Sequence, residues 1–459
     1  MPSASGTPET PHDAGMPSLS QAAIRITDRV SGRVLALQSK LGQGRLTRGV
    51  ATIAMGHAGG YALMLLATPL LTRLYSPSQF GVLATYGSMM SLLGVAICLR
   101  FEAAIPLPKT RRAAGRLAQL ALLSGLALSV PAVCGIGLAL QWFGGDSKLA
   151  PLRPYLFPLA LNLLAYGLFQ ILTLWATRDA QFRRLAQLRF TLIVSMVLAQ
   201  LVFAFLFDAW NGLILGQLVG YSLTCLITLA WLGKRRLPKF SWRGLKAAAA
   251  TYRRFPQFGV ASETLNISQT TVPPLLLASL YGTTCAGWFM LAWRIVGAPL
   301  TLLVVPVARV YLSEASRIGP HAPKELRDFF IRTLRKSALV GTPVIALLAL
   351  SARVLFPWGL GQQWTEAGVY CQILCPLLLM HLFAVSIRPT FDVTHRQDLQ
   401  FVAAAIGASL MLLGLFLPSY FLGDPLVTIA AMSAAGCLSH LISVSLSWYA
   451  IGHPRGAVS

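Results

Sequence analysis

The chain has 459 residues, of which 55% are hydrophobic and only 12% are charged. Soluble domains carry roughly 25% charged residues, so this composition excludes an ordinary soluble protein. The net charge of +23 is compatible with nucleic-acid binding, but the basic residues lie between apolar segments rather than on one soluble face. The apolar residues form runs of about twenty, the length that crosses a ~30 Å hydrocarbon core. We therefore predict an all-α membrane protein that contacts membrane lipids and not nucleic acid.

The region before the first apolar segment has two parts. Residues 1–17 are rich in Pro, Ser and Thr, a composition that predicts a disordered tail. In residues 18–49, Arg25, Arg29 and Arg33 recur every four positions beside apolar residues at helical spacing. This pattern predicts a basic amphipathic cytoplasmic helix, which either lies on the anionic inner leaflet or is a soluble extension of the first span.

Twelve apolar segments follow, each long enough to span a membrane as a helix. Their predicted bounds are 50–72, 80–100, 117–141, 155–176, 190–207, 211–232, 257–280, 286–309, 337–357, 367–388, 399–422 and 425–450. Pro273 and Pro274 lie inside the seventh segment and predict an interruption of that helix.

The connections between the segments alternate in charge. Of the 38 Lys and Arg residues, about 33 fall on one side and four on the other, namely Arg73, Lys148, Arg153 and Arg353. Cytoplasmic loops carry the excess of positive charge, so the richer side is predicted to be cytoplasmic. Both termini, including the tail 451–459, are then predicted to be cytoplasmic, in a multi-pass membrane protein.

A short sequence repeat divides the chain into two halves. Leu70, Leu71, Leu74, Tyr75 and Gly81 all recur 206 positions later. A fixed offset at two hairpin turns indicates an internal duplication, and copies that run in the same direction make parallel halves. We predict two parallel-repeat six-helix halves around a central cavity. The predicted bounds are 50–232 for the N-terminal half, 233–256 for a cytoplasmic linker and 257–450 for the C-terminal half.

Arg294 is the most informative charge inside a span. It lies seven residues after Gly287, which is about 10 Å along a helix, and a charge at the bilayer centre costs roughly 2.5–3.5 kcal/mol or more. Arg294 is therefore expected to face the bundle interior or a watery cavity. Two interpretations stay open, since it either receives a substrate phosphate or forms an ion pair with Glu263 on the preceding helix.

A polar stripe on the seventh span supports a cavity. Gly259, Glu263, Asn266 and Thr270 are spaced by four, three and four residues, which places them on one helical face. Such a face is unsuited to lipid. In the first span, His57 is a candidate to face this stripe, although an interhelical hydrogen bond is the simpler explanation for it.

Other basic residues lie at the predicted cytoplasmic ends of spans, among them Arg100, Arg178 and Arg388. Each can extend its charge to the lipid headgroups. Together they can ring an inward-open vestibule and attract an anionic lipid-linked substrate. The candidate substrate-binding residues are therefore Arg294, Arg100, Arg178, Arg388, His57, Glu263, Asn266 and Thr270.

The sequence shows no catalytic or metal-binding constellation. The histidines are scattered, no P-loop or zinc motif occurs, and the predicted outer loops are too short to build an active site. Cys371 and Cys375 share a helical face, but small buried core thiols explain the seven cysteines better. The sequence therefore predicts a protein that is not an enzyme and needs no cofactor.

Residues 69–108, which include TRLYSPSQFGVLATYG and LRFEAAIPLP, resemble the opening of bacterial polysaccharide flippases. These flippases are the Wzx-type branch of the multidrug/oligosaccharidyl-lipid/polysaccharide exporter superfamily. Residues 155–184, 252–280 and 287–316 are similar to later parts of the same family, and the resemblance thins toward the C-terminus.

The resemblance implies a flippase that moves an undecaprenyl-pyrophosphate-linked oligosaccharide from the inner to the outer leaflet of the bacterial inner membrane by alternating access. The glycan serves synthesis of exopolysaccharide, capsule or O-antigen. In this family, basic residues of the central cavity are thought to engage the pyrophosphate. Arg100, Arg178 and Arg294 lie within matching stretches, whereas Arg388 does not. A polysaccharide polymerase and chain-length proteins are further partners in this interpretation.

Two other function classes stay open. An ion-coupled multidrug exporter of the same superfamily commonly has an intramembrane acid in its first span, and residues 50–72 contain none. A non-transporting scaffold of an envelope assembly complex is the third class, and only a transport assay separates it from the other two.

Overall fold

The computed structural model describes residues 59–142, 148–206, 211–232 and 240–454, and the regular structure within these ranges is helical, without a β-strand. The helices, numbered in chain order, are α1 59–74, α2 Pro77–Ile97, α3 Arg111–Trp142, α4 Leu156–Arg178, α5 Phe182–Leu206, α6 Gly212–Leu232, α7 Trp242–Thr251, α8 Val260–Tyr281, α9 Thr283–Ile318, α10 Pro323–Leu360, α11 Thr365–Ile387, α12 Thr390–Val393, α13 Gln397–Phe421 and α14 Pro425–Gly452. The predicted tail 1–17, the predicted helix 18–49 and His57 lie outside the described residues.

Within the described residues, each of the twelve predicted spans overlaps a helix, namely α1 to α6, α8 to α11, α13 and α14. Within the described ranges, nine helical segments are long and apolar enough to cross a membrane. The chain is therefore a multi-pass membrane protein. Helices α9 and α10 contain 36 and 38 residues, so at 1.5 Å per residue they extend well beyond a ~30 Å hydrocarbon core.

The predicted interruption of the seventh span is wrong. Pro273 and Pro274 lie inside α8, which continues from Val260 to Tyr281. A proline removes one backbone donor, so the carbonyl groups of Gln269 and Thr270 lose their helical partners while the rest of the helix is maintained.

The turn between α1 and α2 explains why the first hairpin forms. The Ser76 side chain accepts a hydrogen bond from the Gln79 N–H at 3.3 Å, and the Gln79 side chain accepts one from the Ser76 N–H at 2.9 Å. Pro77 follows at the start of α2, where its missing N–H costs nothing. This capping box begins α2 directly after α1.

The helices pack in the same order within each half. In the first half, α2, α3 and α6 pack on α4, and α5 packs on α6. In the second half, α9, α10 and α14 pack on α11, and α13 packs on α14. These pairs occupy equivalent positions once the linker helix α7 and the short α12 are set aside. The predicted architecture of two parallel six-helix halves is confirmed, while the predicted domain limits stay predictions.

The two halves meet along α2, which packs on α8 and α9. At the predicted outer end, a Cβ on Gly81 would overlap the carbonyl oxygen of Thr283, and a Cβ on Gly287 would overlap that of Pro77. Thr283 and Gly287 lie 206 positions after Pro77 and Gly81. The offset of the repeat therefore appears in space as a pseudo-two-fold contact, which only glycine permits at this distance.

Hydrogen bonds between the halves close the predicted outer end around this contact. The hydroxyl oxygens of Ser78 and Thr283 are 2.9 Å apart. The Trp364 indole N–H and the Gln363 side-chain amide both donate to the Thr72 carbonyl oxygen, at 3.0 Å and 2.8 Å. The structure is thus closed at the predicted outer end.

The linker contains a helix that the sequence analysis does not predict. Helix α7 starts after Ser241, whose side chain accepts a hydrogen bond from the Gly244 N–H at 3.3 Å. It packs on α3, where Gly244 lies against the side chain of Arg116. Helix α7 therefore attaches the described part of the linker to the N-terminal half.

Candidate functional site

Arg294 lies on α9 where the two halves meet. Its guanidinium carbon is 5.8 Å from the centre of the Phe80 ring on α2. Phe80 is fully buried and makes an edge contact with Trp364, at 5.0 Å between ring centres. Tyr61 of α1 is close enough to interact electrostatically with the guanidinium. Arg294 is thus a partly buried cation on an aromatic surface supplied by the opposite half.

The structure separates Arg294 from the partner that the ion-pair interpretation assigns to it. Glu263 of α8 pairs instead with Arg100, at 3.5 Å between Nη2 and Oε2. Within the described part of the chain, Arg294 makes no ion pair. The N–H groups of Arg294 therefore donate to no carboxylate among the described residues.

Arg100, Glu102 and Glu263 form a charged cluster between the halves at the predicted cytoplasmic end. Leu99 and Arg100 have φ values of 49° and 58°, a left-handed conformation that is rare for such side chains and is often found at functional sites. The Arg100 Nη1 lies 3.9 Å from the Glu102 Oε1. Glu102 is buried, and its Oε2 has no partner among the described residues.

Burial dominates the titration of Glu102, which lies beyond the end of α2. Desolvation raises the pKa of its carboxyl to about 7, with a smaller upward contribution from the Glu263 charge. The backbone amide of Glu102 and the charge of Arg100 act in the opposite direction. The cluster therefore contains a carboxyl that changes charge near neutral pH.

The remaining positions of the polar stripe have different environments. Gly259 lies beside the Arg100 side chain. Thr270 is exposed, and its hydroxyl donates to the Ile267 carbonyl oxygen at 3.0 Å. The side chain of Asn266 lies outside the described residues. The stripe thus reaches the Arg100 cluster at its cytoplasmic end.

Arg178 occupies a separate place at the end of α4. Its Nη2 donates to the carbonyl oxygens of Pro108 at 2.9 Å and Lys109 at 3.3 Å, and its Nη1 lies 3.7 Å from Asp179. Asp179 also pairs with Arg111 at 2.9 Å. These contacts attach the loop before α3 to α4, so Arg178 is not brought together with Arg294.

Arg388 belongs to a polar cavity inside the C-terminal half. With its amide oxygen facing the guanidinium, Gln400 accepts hydrogen bonds from the Arg388 Nε at 3.1 Å and Nη2 at 3.3 Å. The same cavity is lined by His381 and His440, whose pairing the sequence analysis does not predict. The only signal in the sequence is that each histidine lies in the middle of an apolar span.

The arrangement of two six-helix halves that meet along α2, α8 and α9 is shared by solved structures of transporters. The lipid II flippase MurJ in an inward-closed conformation superposes with a TM-score of 0.63 at 14% identity, over 85% of this chain and 87% of MurJ. An inward-facing multidrug resistance MATE family transporter of the MOP superfamily gives 0.57 at 13% identity, over 89% and 96% of the two chains. At these identities the likeness shows the fold alone.

The sequence comparison is more specific. Residues 70–369 match the family described as "Polysaccharide biosynthesis protein", and the chain belongs to this family. The lipopolysaccharide biosynthesis protein WzxC of Escherichia coli (strain K12) is 22% identical over 309 residues. That alignment covers 67% of this chain and 61% of WzxC. The resemblance to Wzx-type flippases is confirmed.

Proposed function

We propose that this protein is a flippase that moves an undecaprenyl-pyrophosphate-linked oligosaccharide from the inner to the outer leaflet of the cytoplasmic membrane. The glycan would serve exopolysaccharide, capsule or O-antigen synthesis. Family membership supports a lipid-linked glycan as the substrate, and the two-half fold supports alternating access. The observation that carries the proposal is Arg294, a partly buried cation between the halves that lies against Phe80 and has no ion pair among the described residues.

A pyrophosphate fits the chemistry of this position. Two of its oxygens can accept parallel hydrogen bonds from one guanidinium, and such charge-assisted bonds are strong where water is excluded. The Phe80 ring lies 5.8 Å from the guanidinium carbon and offers no conventional hydrogen-bond acceptor, so this contact leaves the N–H donors of Arg294 available. Arg294 would thus bind substrate while Phe80 holds the guanidinium at the interface.

Alternating access requires that the two ends of the interface open in turn. The Gly81–Gly287 contact closes the predicted outer end in this structure. At the opposite end, the Arg100–Glu263 pair joins α8 to the end of α2. We propose that substrate enters past this ion pair from the inner leaflet and leaves when the glycine contact opens.

The other candidate residues keep their proposed roles in this cycle. Arg178, Arg388, Asn266, Thr270 and His57 stay predictions as substrate-binding residues. An inner-membrane location with cytoplasmic termini, and contact with a polysaccharide polymerase and chain-length proteins, are likewise proposals that rest on charge bias and family membership.

A reconstituted flipping assay tests the function. Vesicles containing the protein receive undecaprenyl pyrophosphate that carries a fluorescent oligosaccharide, and a membrane-impermeant quencher reports the leaflet. We expect faster exchange than in empty vesicles and a clear loss of that exchange in Arg294→Ala. Transport of drugs but not of the glycolipid would identify a multidrug exporter. Absence of all transport by folded protein would favour a scaffold.

A further inference from the structure

A polar cavity of about 110 Å³ lies inside the C-terminal half, between α8, α11, α13 and α14. A water molecule occupies roughly 30 Å³ in the liquid, so the cavity has room for about three or four water molecules. Its polar lining comprises Gln269, His381, Arg388, Gln400, Ser439, His440 and Ser443. Polar side chains inside a membrane span cost free energy, so they are rare there unless they serve a function. With the exception of Gln269, the polar lining residues also lie beyond residue 369, where the family match ends.

The two histidines form one hydrogen-bonded unit. His381 Nδ1 and His440 Nε2 are 3.3 Å apart, with 5.1 Å between the ring centres. Two neutral imidazoles share two protons among four ring nitrogens. One proton lies between the rings, so either His381 Nε2 or His440 Nδ1 carries the other proton and the remaining outer nitrogen is bare. The pair therefore always presents one free site for a proton.

The surroundings limit the pair to one additional proton. Of the described residues, Arg388 of the α11–α12 junction is the charged group that faces it. The neighbouring helices contribute neutral groups, with Gln269 from α8, Gln400 from α13, and Ser439 and Ser443 from α14. Two imidazolium ions at hydrogen-bond distance beside a guanidinium would repel each other strongly. No carboxylate among these lining residues neutralises the first added proton.

Helix α8 connects this cavity to the interface between the halves. Gln269 lines the cavity, and Glu263 lies six residues earlier, about 9 Å along the helix. Glu263 pairs with Arg100, which follows α2 of the other half. Pro273 and Pro274 leave the carbonyl groups of Gln269 and Thr270 without helical donors, which makes α8 easier to bend at this place. A change of charge in the cavity therefore has a physical route to the inter-half contact.

We propose that the His381–His440 pair is a proton-binding site whose occupancy is coupled to the movement of the two halves. A proton adds to the bare outer nitrogen, the central proton shifts to the other ring, and the opposite outer nitrogen releases its proton. The pair is thereby restored in its second tautomer and one proton has crossed it. The coupling rests on the proposed transport function, whereas proton binding by the pair does not.

Proton binding is measured on the purified full-length protein by nitrogen NMR of labelled imidazole rings. His381 and His440 are expected to titrate together, as one coupled event that takes up about one proton. In His440→Gln, the His381 resonance should titrate at a different pH from that in the wild type. Independent titrations that ignore the partner's substitution would overturn the proposal, as would rings that take up no proton from about pH 4 to about pH 9.

Coupling is measured in vesicles that carry a pH gradient, with the fluorescent undecaprenyl-pyrophosphate oligosaccharide as the probe. The gradient should accelerate flipping by the wild type, and this stimulation should be lost in His381→Gln/His440→Gln. His321→Gln is the matched control, because His321 is exposed in the loop between α9 and α10; it should keep the stimulation.

The outcomes separate this inference from the proposed function. A wild type that flips the probe without any effect of the gradient, or a double variant that keeps the stimulation, would refute proton coupling and leave the flippase function intact. A wild type that flips no glycolipid would refute the proposed function, and the NMR titration would still decide whether the pair binds a proton. If the variants do not fold, the wild-type NMR titration decides whether the pair binds a proton. The response of wild-type flipping to the pH gradient then decides whether transport is coupled to protons.

Discussion

At the scale of single residues, the interface between the halves contains two arginines whose neighbours differ in chemistry. Arg100 faces two carboxylates, whereas Arg294 faces an aromatic ring. The carboxylates offset the charge of Arg100, whereas a cation–π contact supplies no carboxylate to Arg294 and contributes roughly 0.5–2 kcal/mol. The two positions thus differ in chemistry, and Arg294 is the one whose N–H donors are available to an anion.

Replacing Arg294 should impair export more than folding. We expect Arg294→Ala to reduce glycolipid flipping by roughly 10- to 100-fold, the loss of a charged hydrogen bond of about 1.5–3 kcal/mol. Arg294→Lys should retain part of the rate, since a point charge replaces the planar fork. Flipping in vesicles measures both.

The matched control is Arg317→Ala, on the same helix, where the arginine is 80% exposed and pairs with Glu314. It should flip at the wild-type rate. Because Glu263 pairs with Arg100, adding Glu263→Gln to Arg294→Ala should not restore export. Recovery of export in that double variant would refute the substrate role of Arg294.

The raised pKa of Glu102 predicts a pH-dependent stability. A carboxyl whose folded pKa is about 7, against roughly 4.3 when unfolded, binds more protons in the folded state between these values. Stability from this group is therefore complete below about pH 4 and declines as the pH rises to about 7. Glu102→Gln should raise the thermal midpoint at about pH 8 and change it little at about pH 4.

Thermal unfolding of purified protein at both pH values measures this effect. The control is Glu314→Gln, an exposed glutamate that pairs with Arg317 on α9, and it should change the midpoint little at either pH because an exposed ion pair contributes only about 0–1 kcal/mol. A Glu102→Gln shift of the same size at both pH values would show that burial does not hold Glu102 protonated.

At the scale of elements, the contact between α2 and α9 depends on two glycines. The structure leaves no space for a side chain at Gly81 or Gly287, because a carbonyl oxygen of the facing helix occupies that position. Backbone cannot move aside as a flexible side chain can, so the two helices would have to separate. Close helix contacts of this kind are the usual basis of packing in membranes.

Gly81→Ala should therefore destabilise the closed outer end. Overpacking of this kind costs typically 1–3 kcal/mol, and we expect a lower thermal midpoint with reduced flipping. Gly87→Ala on the same helix is the control, since a Cβ there meets nothing within 4 Å and alanine favours a helix by roughly 1 kcal/mol. Equal midpoints for the two variants would contradict the close packing.

At the scale of the whole molecule, a covalent lock across the halves tests alternating access. The Ser78 and Thr283 hydroxyl oxygens are 2.9 Å apart across the predicted outer end, so cysteines at these positions should form a disulfide. Oxidised Ser78→Cys/Thr283→Cys should not export glycan, and a reductant should restore export. Each single cysteine variant is the control. Full export by completely cross-linked protein would exclude opening at this contact.

The sidedness of the protein is a second property of the whole chain. In intact cells, an impermeant thiol reagent should label a cysteine introduced at Gly144 and not one at Ser241, because Lys and Arg are concentrated on the side of Ser241. Permeabilised cells, in which both sites should react, are the control, with a variant lacking the seven native cysteines as background. The opposite pattern would invert the predicted topology.

The sequence alone determined the spans, their pairing into two halves and the family. Hydrophobicity over about twenty contiguous residues is a local property matched to a bilayer of fixed thickness, so the helices follow from it. The offset of 206 positions predicted the repeat because duplicated segments fold alike. Gly81 and Gly287 are among the repeated residues, but only the structure shows that they meet at the contact between the halves.

Only the tertiary structure decided which polar side chains meet. Arg294 and Glu263 lie on consecutive predicted spans, yet Glu263 pairs with Arg100 and Arg294 lies against Phe80. His381 meets His440 because α11 packs on α14. The physical reason is that successive residues are rotated by about 100° around a helix, so the partner of a side chain depends on how each helix is rotated and packed. Sequence spacing along one helix does not contain that information.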